Sequence, residues 1–228
     1  MLGLDDSIAA LSDGASVWIV LAVAVLLGLR HATDPDHVAA VTTLVAGRPE
    51  RAARRAGELG LSWGLGHAAT LFVFGLPIVL LNRYLPERIQ QAAETAIAGV
   101  IVYLAIRLLL RWRRGELHMH PHPHAHGART RTGAFGIGLV HGMGGSAGVG
   151  VLIVASVEST LLAVVSLVLL AIFTAVSMGM LSTGFGRALV SRPVQASFNV
   201  IAPALAVASL SFGVWYAGAA WSLAPYPF

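Results

Sequence analysis

Between Gly28 and Ala40 the chain sets His31, Asp34, Asp36 and His37 beside Arg30 and Pro35, inside a long apolar segment. Imidazole nitrogen next to carboxylate oxygen is ligand chemistry for a borderline divalent metal such as nickel, cobalt or zinc. Ionisable side chains at membrane depth cost roughly 3 to more than 10 kcal/mol each, so they mark an ion or substrate path. On an unbroken helix His31, Asp34 and His37 share one broad face and Asp36 points away. Pro35 removes a backbone donor and disfavours helix at Asp34. A break there frees Asp36 to join the others or to orient a histidine. Arg30 has an ordinary role available, an i, i+4 pair with Asp34.

Two more histidines stand alone in apolar runs: His67, within Gly64–Thr70, and His141, within Gly138–Met143. A third group, His118, His120, His122, His124 and His126, alternates with proline and small residues. Such a tract cannot hold a helix and reads as a flexible auxiliary site for capturing divalent metal. Its spacing is irregular and its position internal, unlike an affinity tag.

The elements that must position these residues are membrane spans. Of 228 residues, 56% are hydrophobic and 11% charged, against about a quarter charged in a soluble domain. The expected fold is an all-α integral membrane protein with six transmembrane helices, at about 16–46, 59–81, 91–110, 133–156, 160–184 and 194–221. The first run is too long for a simple span, so it is expected to kink or break with 31–37 at the break. Irregular backbone at that depth is tolerated where it lines a cavity. The whole of 1–228 reads as one transporter domain, with 115–132 a cytoplasmic histidine-rich loop. Ser62, Thr174, Ser177 and Asn199 read as interhelical hydrogen-bonding residues, and Pro203 as a kink.

Every basic residue is arginine and cysteine is absent. Disulfides, thiolate metal sites and a Cys-x-x-Cys relay are thereby excluded. The arginines sit in short loops, which argues against nucleic-acid binding. Arg48, Arg51, Arg54 and Arg55 follow the first span. Arg111, Arg113, Arg114, Arg129 and Arg131 lie around the third loop, and Arg187 and Arg192 separate the last two spans. The opposite loops offer only Arg83 and Arg88. The arginine-rich side is the cytoplasm, which puts both termini outside a cell (inner) membrane crossed several times. The acidic N-terminus lacks the basic flank of a cleavable signal peptide, so the first run is read as a retained span.

In that orientation His37, His67 and His141 each lie about eight or nine residues, roughly 12–14 Å, from the cytoplasmic ends of their spans. They can share one depth near the midplane, with His31 about one and a half turns further out. Gly28-Leu29-Arg30-His31 and Gly138-Leu139-Val140-His141 share a Gly-Leu-x-His pattern. Each opens a set of three spans, and an odd number of spans inverts the second set. Two inverted three-helix repeats with broken helices meeting at the midplane are a recurrent transporter plan. Glycines 142, 144, 145, 148 and 150 suit close helix packing or an unwound segment lining the path.

These motifs resemble those of the nickel/cobalt transporter (NiCoT) superfamily. His31-Ala-Thr-Asp34-Pro-Asp36-His37 fits its H-x-x-x-x-D-H signature. Gly66-His67-Ala-Ala-Thr-Leu-Phe resembles its second, Gly-His-Ser-type motif, and His141-Gly-Met-Gly-Gly-Ser-Ala a third segment. The resemblance implies that His31, Asp36 and His37 handle metal, with His67 a companion. Two features depart from the eight-span members: no later Asp-Thr-Ala-Thr-Glu segment is present, and Ala68 replaces the serine after the second histidine. Both are similar to the shorter, six-span branch of urease-accessory nickel transporters. Six-span exporters also carry a histidine-rich loop, but their first motif usually reads Pro-Gly-His, which places efflux second.

The expected activity is passage of Ni²⁺, and Co²⁺ as an alternative cargo, with uptake preferred. The expected metal ligands are His31, Asp34, Asp36, His37, His67 and His141. The metal is cargo, so no resident cofactor is expected. Nothing outside these ligands offers a nucleophile or general base, so an enzyme is not expected. Expected partners are the divalent ion and the lipid bilayer, with nickel-enzyme maturation machinery and a second copy of the chain as further candidates. The competing readings are Ni²⁺/Co²⁺ efflux and a membrane accessory protein that delivers metal without transporting it.

Overall fold

The computed structural model describes residues 17–34, 36–40, 52–81, 86–115, 130–142, 151, 154–155, 157, 159–189, 191, 193–194 and 197–225. Within them the chain is all-helical. The six principal helices are α1 Val17–His31, α2 Ala52–Leu81, α3 Glu87–Arg113, α4 Arg131–His141, α5 Thr160–Leu189 and α6 Phe198–Ala220. Five spans are long and apolar enough to cross a membrane; the first of these runs from Val17 to Ala40, through α1 and the helical residues beyond it. The chain is built as a helical membrane protein.

α1 stops at His31. Thr33 N–H turns back to Arg30 O at 2.8 Å, Asp34 N–H to His31 O at 3.1 Å, and the Thr33 hydroxyl donates to Arg30 O at 2.6 Å. Helix resumes over 36–40, with Val38 N–H donating to Asp34 O. The expected break therefore falls where the sequence places it; Pro35 itself and residues 41–46 lie outside the described residues.

α4 differs from expectation. The sequence suggests one span over 133–156, yet the helix begins at Arg131, capped by the Thr130 hydroxyl accepting from Gly133 N–H, and closes at His141. Gly142 N–H ends it on Gly138 O. Eleven residues cover only about 16 Å, half a bilayer. The helix-poor residue Gly142 stands at the stop. Residues 143–150, with the Gly144 to Gly148 spacing, lie outside the described residues, as do His118, His120, His122, His124 and His126.

α2 and α5 form the central antiparallel pair. Gly57 faces Thr183, Gly60 faces Ser182, Gly64 faces Ala175 and Gly75 faces Leu167. α4 runs parallel to α2 in close register. The Ser62 hydroxyl donates to Arg131 O, Gly66 abuts Phe135 O, and the Thr70 hydroxyl donates to Leu139 O. A Cβ on Gly138 would overlap Trp63 O, so only glycine permits this approach. α1 docks on α5 in the same manner. A Cβ on Gly28 would lie 2.7 Å from Leu170 O and 3.1 Å from Thr174 N, and the Ser177 hydroxyl donates to Gly28 O. α3 and α6 pair through Gly213 against Ile101 and Val102. Ile97, Ala98, Ile101 and Tyr216 pack on Ala39 and so buttress the helical turn over 36–40. α2 extends seven residues before its expected start at 59, and there Glu58 pairs with Arg54 at 3.2 Å and Arg131 at 2.9 Å. Pro77 and Pro203 lie inside α2 and α6 without ending them.

Candidate metal centre

Four separate segments bring the intramembrane histidines together. His31 is the last residue of α1, Asp36 and His37 open the turn beyond the break, His67 sits mid-way along α2, and His141 closes α4. All are buried: Asp36 and His67 are 0% exposed, His37 and His141 1%, and His31 6%. Four imidazoles and a carboxylate thus converge at one buried place. Such a concentration of polar groups needs a compensating partner.

The geometry resolves into two adjoining sets. His31 Nε2 faces His67 Nε2 at 2.8 Å, and the His37 ring lies 4.5 Å from that of His31 and 5.1 Å from that of His67, centre to centre. In the other set Asp36 Oδ1 meets His37 Nδ1 at 2.9 Å and Asp36 Oδ2 meets His141 Nε2 at 3.0 Å. One donor atom from each of His31, His37 and His67 falls within 4.8 Å of the others, and the same holds for Asp36, His37 and His141. Each set suits a single divalent cation, with neutral nitrogens in the first and a carboxylate added in the second. His37 belongs to both. Its Nδ1 is turned to Asp36, which leaves Nε2 buried with no hydrogen-bond partner among the described residues.

The break does what the sequence requires of it: Asp36, which an unbroken helix would turn away, bridges His37 and His141. Asp34 is placed differently. It is buried, but lies 3.4 Å from Arg30 Nη2 and 3.3 Å from His31 Nδ1 and belongs to neither set. Asp34 thus stands behind the His31 ring within ion-pair distance of it, and the turn that closes α1 places it there.

Sequence reasoning passed over Trp63. Its ring stacks on His37 at 5.5 Å and meets His141 edge-on at 5.4 Å, and it is 1% exposed. It walls the pocket and limits the rotation of both imidazoles. The available signal was its place four residues before His67, one helical turn away on the same face. Ser62 and Ser177 make the interhelical hydrogen bonds expected of them. Asn199 takes part through its carbonyl, which accepts from Trp112 Nε1. Thr174 departs from that expectation, since its buried hydroxyl has no partner among the described residues.

Comparison with known proteins gives two similar chains. The urease accessory protein UreH of Bacillus sp. (strain TB-90) is 29% identical over 154 residues, which cover 64% of this chain and 67% of that protein. The chloroplast protein FOR GROWTH AND FERTILITY 1 of Arabidopsis thaliana is 34% identical over 91 residues, 39% of this chain but only 24% of the plant protein. No family model and no solved structure matches the chain.

Proposed function

We propose that the protein is a membrane permease for Ni²⁺, with Co²⁺ as a second cargo, working in the uptake direction across the cell (inner) membrane. The observation that carries this reading is the buried convergence of His31, Asp36, His37, His67 and His141 at the ends and middle of membrane-length helices. Structural cross-linking of helices needs far fewer polar groups, and a buried carboxylate bridging two imidazoles is ligand chemistry. The similarity to a protein named for urease accessory function favours nickel among the metals these ligands accept. The same similarity favours one alternative, a membrane accessory protein that binds the metal and passes it to an enzyme-maturation partner without carrying it across the bilayer.

The working architecture is a single domain of six spans in two inverted halves, with both termini outside. α1 to α3 form the first half, and α4 with the segment after it, α5 and α6 form the second. The support is a matching set of contacts. Gly138 of α4 meets α2 at Trp63 and His67, and Gly28 of α1 meets α5 at Leu170 and Thr174. Thr70 of α2 and Ser177 of α5 each donate to the backbone of the facing Gly-Leu dipeptide. One constant offset relates all three pairs, and it also turns the contact of Gly60 with Ser182 into that of Gly75 with Leu167.

In this mechanism the ion sheds water and is held first by His31, His37 and His67. His37 then shares it with Asp36 and His141 as the halves rock about the site. An inside-negative potential drives a divalent cation inward by about 4.6 kcal/mol per 100 mV, so no nucleotide is required. The tract from His118 to His126 collects metal on the cytoplasmic side, and partners include the bilayer and nickel-enzyme maturation machinery. The test is nickel content of cells expressing the protein against cells expressing His37→Ala. A rise abolished by the substitution supports uptake, and a fall abolished by it reverses the direction. No difference with the protein in the membrane rejects transport.

A further inference from the structure

We infer that Thr174 is the second half's counterpart of His67 and presents its hydroxyl oxygen to the ion as the ion passes to Asp36 and His141. The inference rests on the two-halves reading above. The offset that pairs Trp63 with Leu170 and Thr70 with Ser177 pairs His67 with Thr174. The backbone nitrogens of His67 and Thr174 stand in matching positions, against Gly138 and Gly28 respectively. His67 is a fully buried member of the metal cluster, and Thr174 is also 0% exposed.

The state of the hydroxyl is the second observation. Thr70, Thr95 and Thr183 each return their hydroxyl to the carbonyl four residues back, on Gly66, Gln91 and Gly179. Thr174 does not, and its Oγ1 has no partner among the described residues. A buried hydroxyl left unpaired is costly, which leaves it available to a transient partner. Ser166 and Ser182 are in the same condition, but the offset sets them opposite Leu59 and Gly75, which carry no donor. Thr174 alone of the three stands opposite a ligand.

A hydroxyl is a neutral and weaker donor than imidazole. Placed where the first half has His67, it makes the second half the looser of the two. The ion is gripped by three nitrogens in the first set and released from a set containing Asp36, His37, His141 and a hydroxyl.

The experiment uses the purified full chain in liposomes, with Ni²⁺ entry and equilibrium Ni²⁺ binding measured on the same preparations. Thr174→Val keeps shape and removes the oxygen; Thr174→Ser keeps the oxygen. The expected result is a five- to tenfold lower flux for valine, about the loss of one polar contact, with Ni²⁺ affinity retained and serine close to wild type. Valine equal to wild type, or serine as impaired as valine, overturns the inference. A wild type that binds Ni²⁺ but moves none overturns the transport reading and this one with it. If the valine protein does not fold, Thr174→His decides: tighter Ni²⁺ binding with slower flux supports the inference, and unchanged affinity overturns it.

Discussion

His37 touches more of the centre than any other residue in it, with its ring against those of His31, His67, His141 and Trp63 and its Nδ1 on Asp36. Removing it strips a donor from both sets at once. His37→Ala is expected to lower Ni²⁺ affinity at least 100-fold, beyond the 10- to 100-fold typical of losing a supporting partner, as measured by equilibrium binding to purified protein. His141→Ala leaves His31, His37 and His67 in place, so binding persists while transport falls. The two substitutions therefore separate holding the ion from moving it. Trp63 supplies an optical probe because its ring stacks on His37. Ni²⁺ is expected to quench tryptophan fluorescence in the wild type, and Trp63→Phe is expected to abolish most of that change even though four other tryptophans remain.

At the scale of elements, two glycines set how closely the helices around the cluster approach. A side chain at Gly138 meets the backbone of α2 at Trp63, and one at Gly28 meets that of α5 at Leu170, whereas Gly136 faces open space. Gly138→Ala is expected to cost about 1–3 kcal/mol or more through overpacking, seen as a lower melting temperature in detergent, with Gly136→Ala near neutral. Much of this layer was legible in the sequence. Pro35 and the length of the first apolar run announced the break, and the solitary histidines in α2 and α4 announced the other residues that converge on it. The early stop of α4 was not legible, because an apolar glycine-rich run reads equally well as packing surface or as unwound chain. The separation of Asp34 from Asp36 was also hidden: it depends on how the turn after His31 closes, and neighbouring aspartates look alike in sequence. Trp63 was missed, and Thr174 was read as an ordinary interhelical hydrogen-bonding residue, because which helices face one another is not written in the sequence.

For the whole molecule, antiparallel α2 and α5 and parallel α2 and α4 agree with the alternating passage that arginine placement predicts. The absence of cysteine permits a clean test of orientation. A cysteine introduced by Arg187→Cys is expected to react with an impermeant maleimide only from the cytoplasmic side. One introduced by Leu223→Cys, past the end of α6, is expected to react from outside. Labelling with the sides exchanged would invert the topology and with it the order in which an entering ion meets the two sets.

The central claim is that the buried histidine cluster is a path through the bilayer and not only a place where metal rests. The most direct measurement is Ni²⁺ entry into liposomes that contain the purified protein alone, with a Ni²⁺-sensitive dye inside and an inside-negative potential imposed. The account predicts entry that scales with protein content, rises with the potential and is abolished by His37→Ala. Tight Ni²⁺ binding by the wild type with entry no faster than in empty liposomes would contradict it, and would leave a membrane-bound metal-delivery protein as the reading.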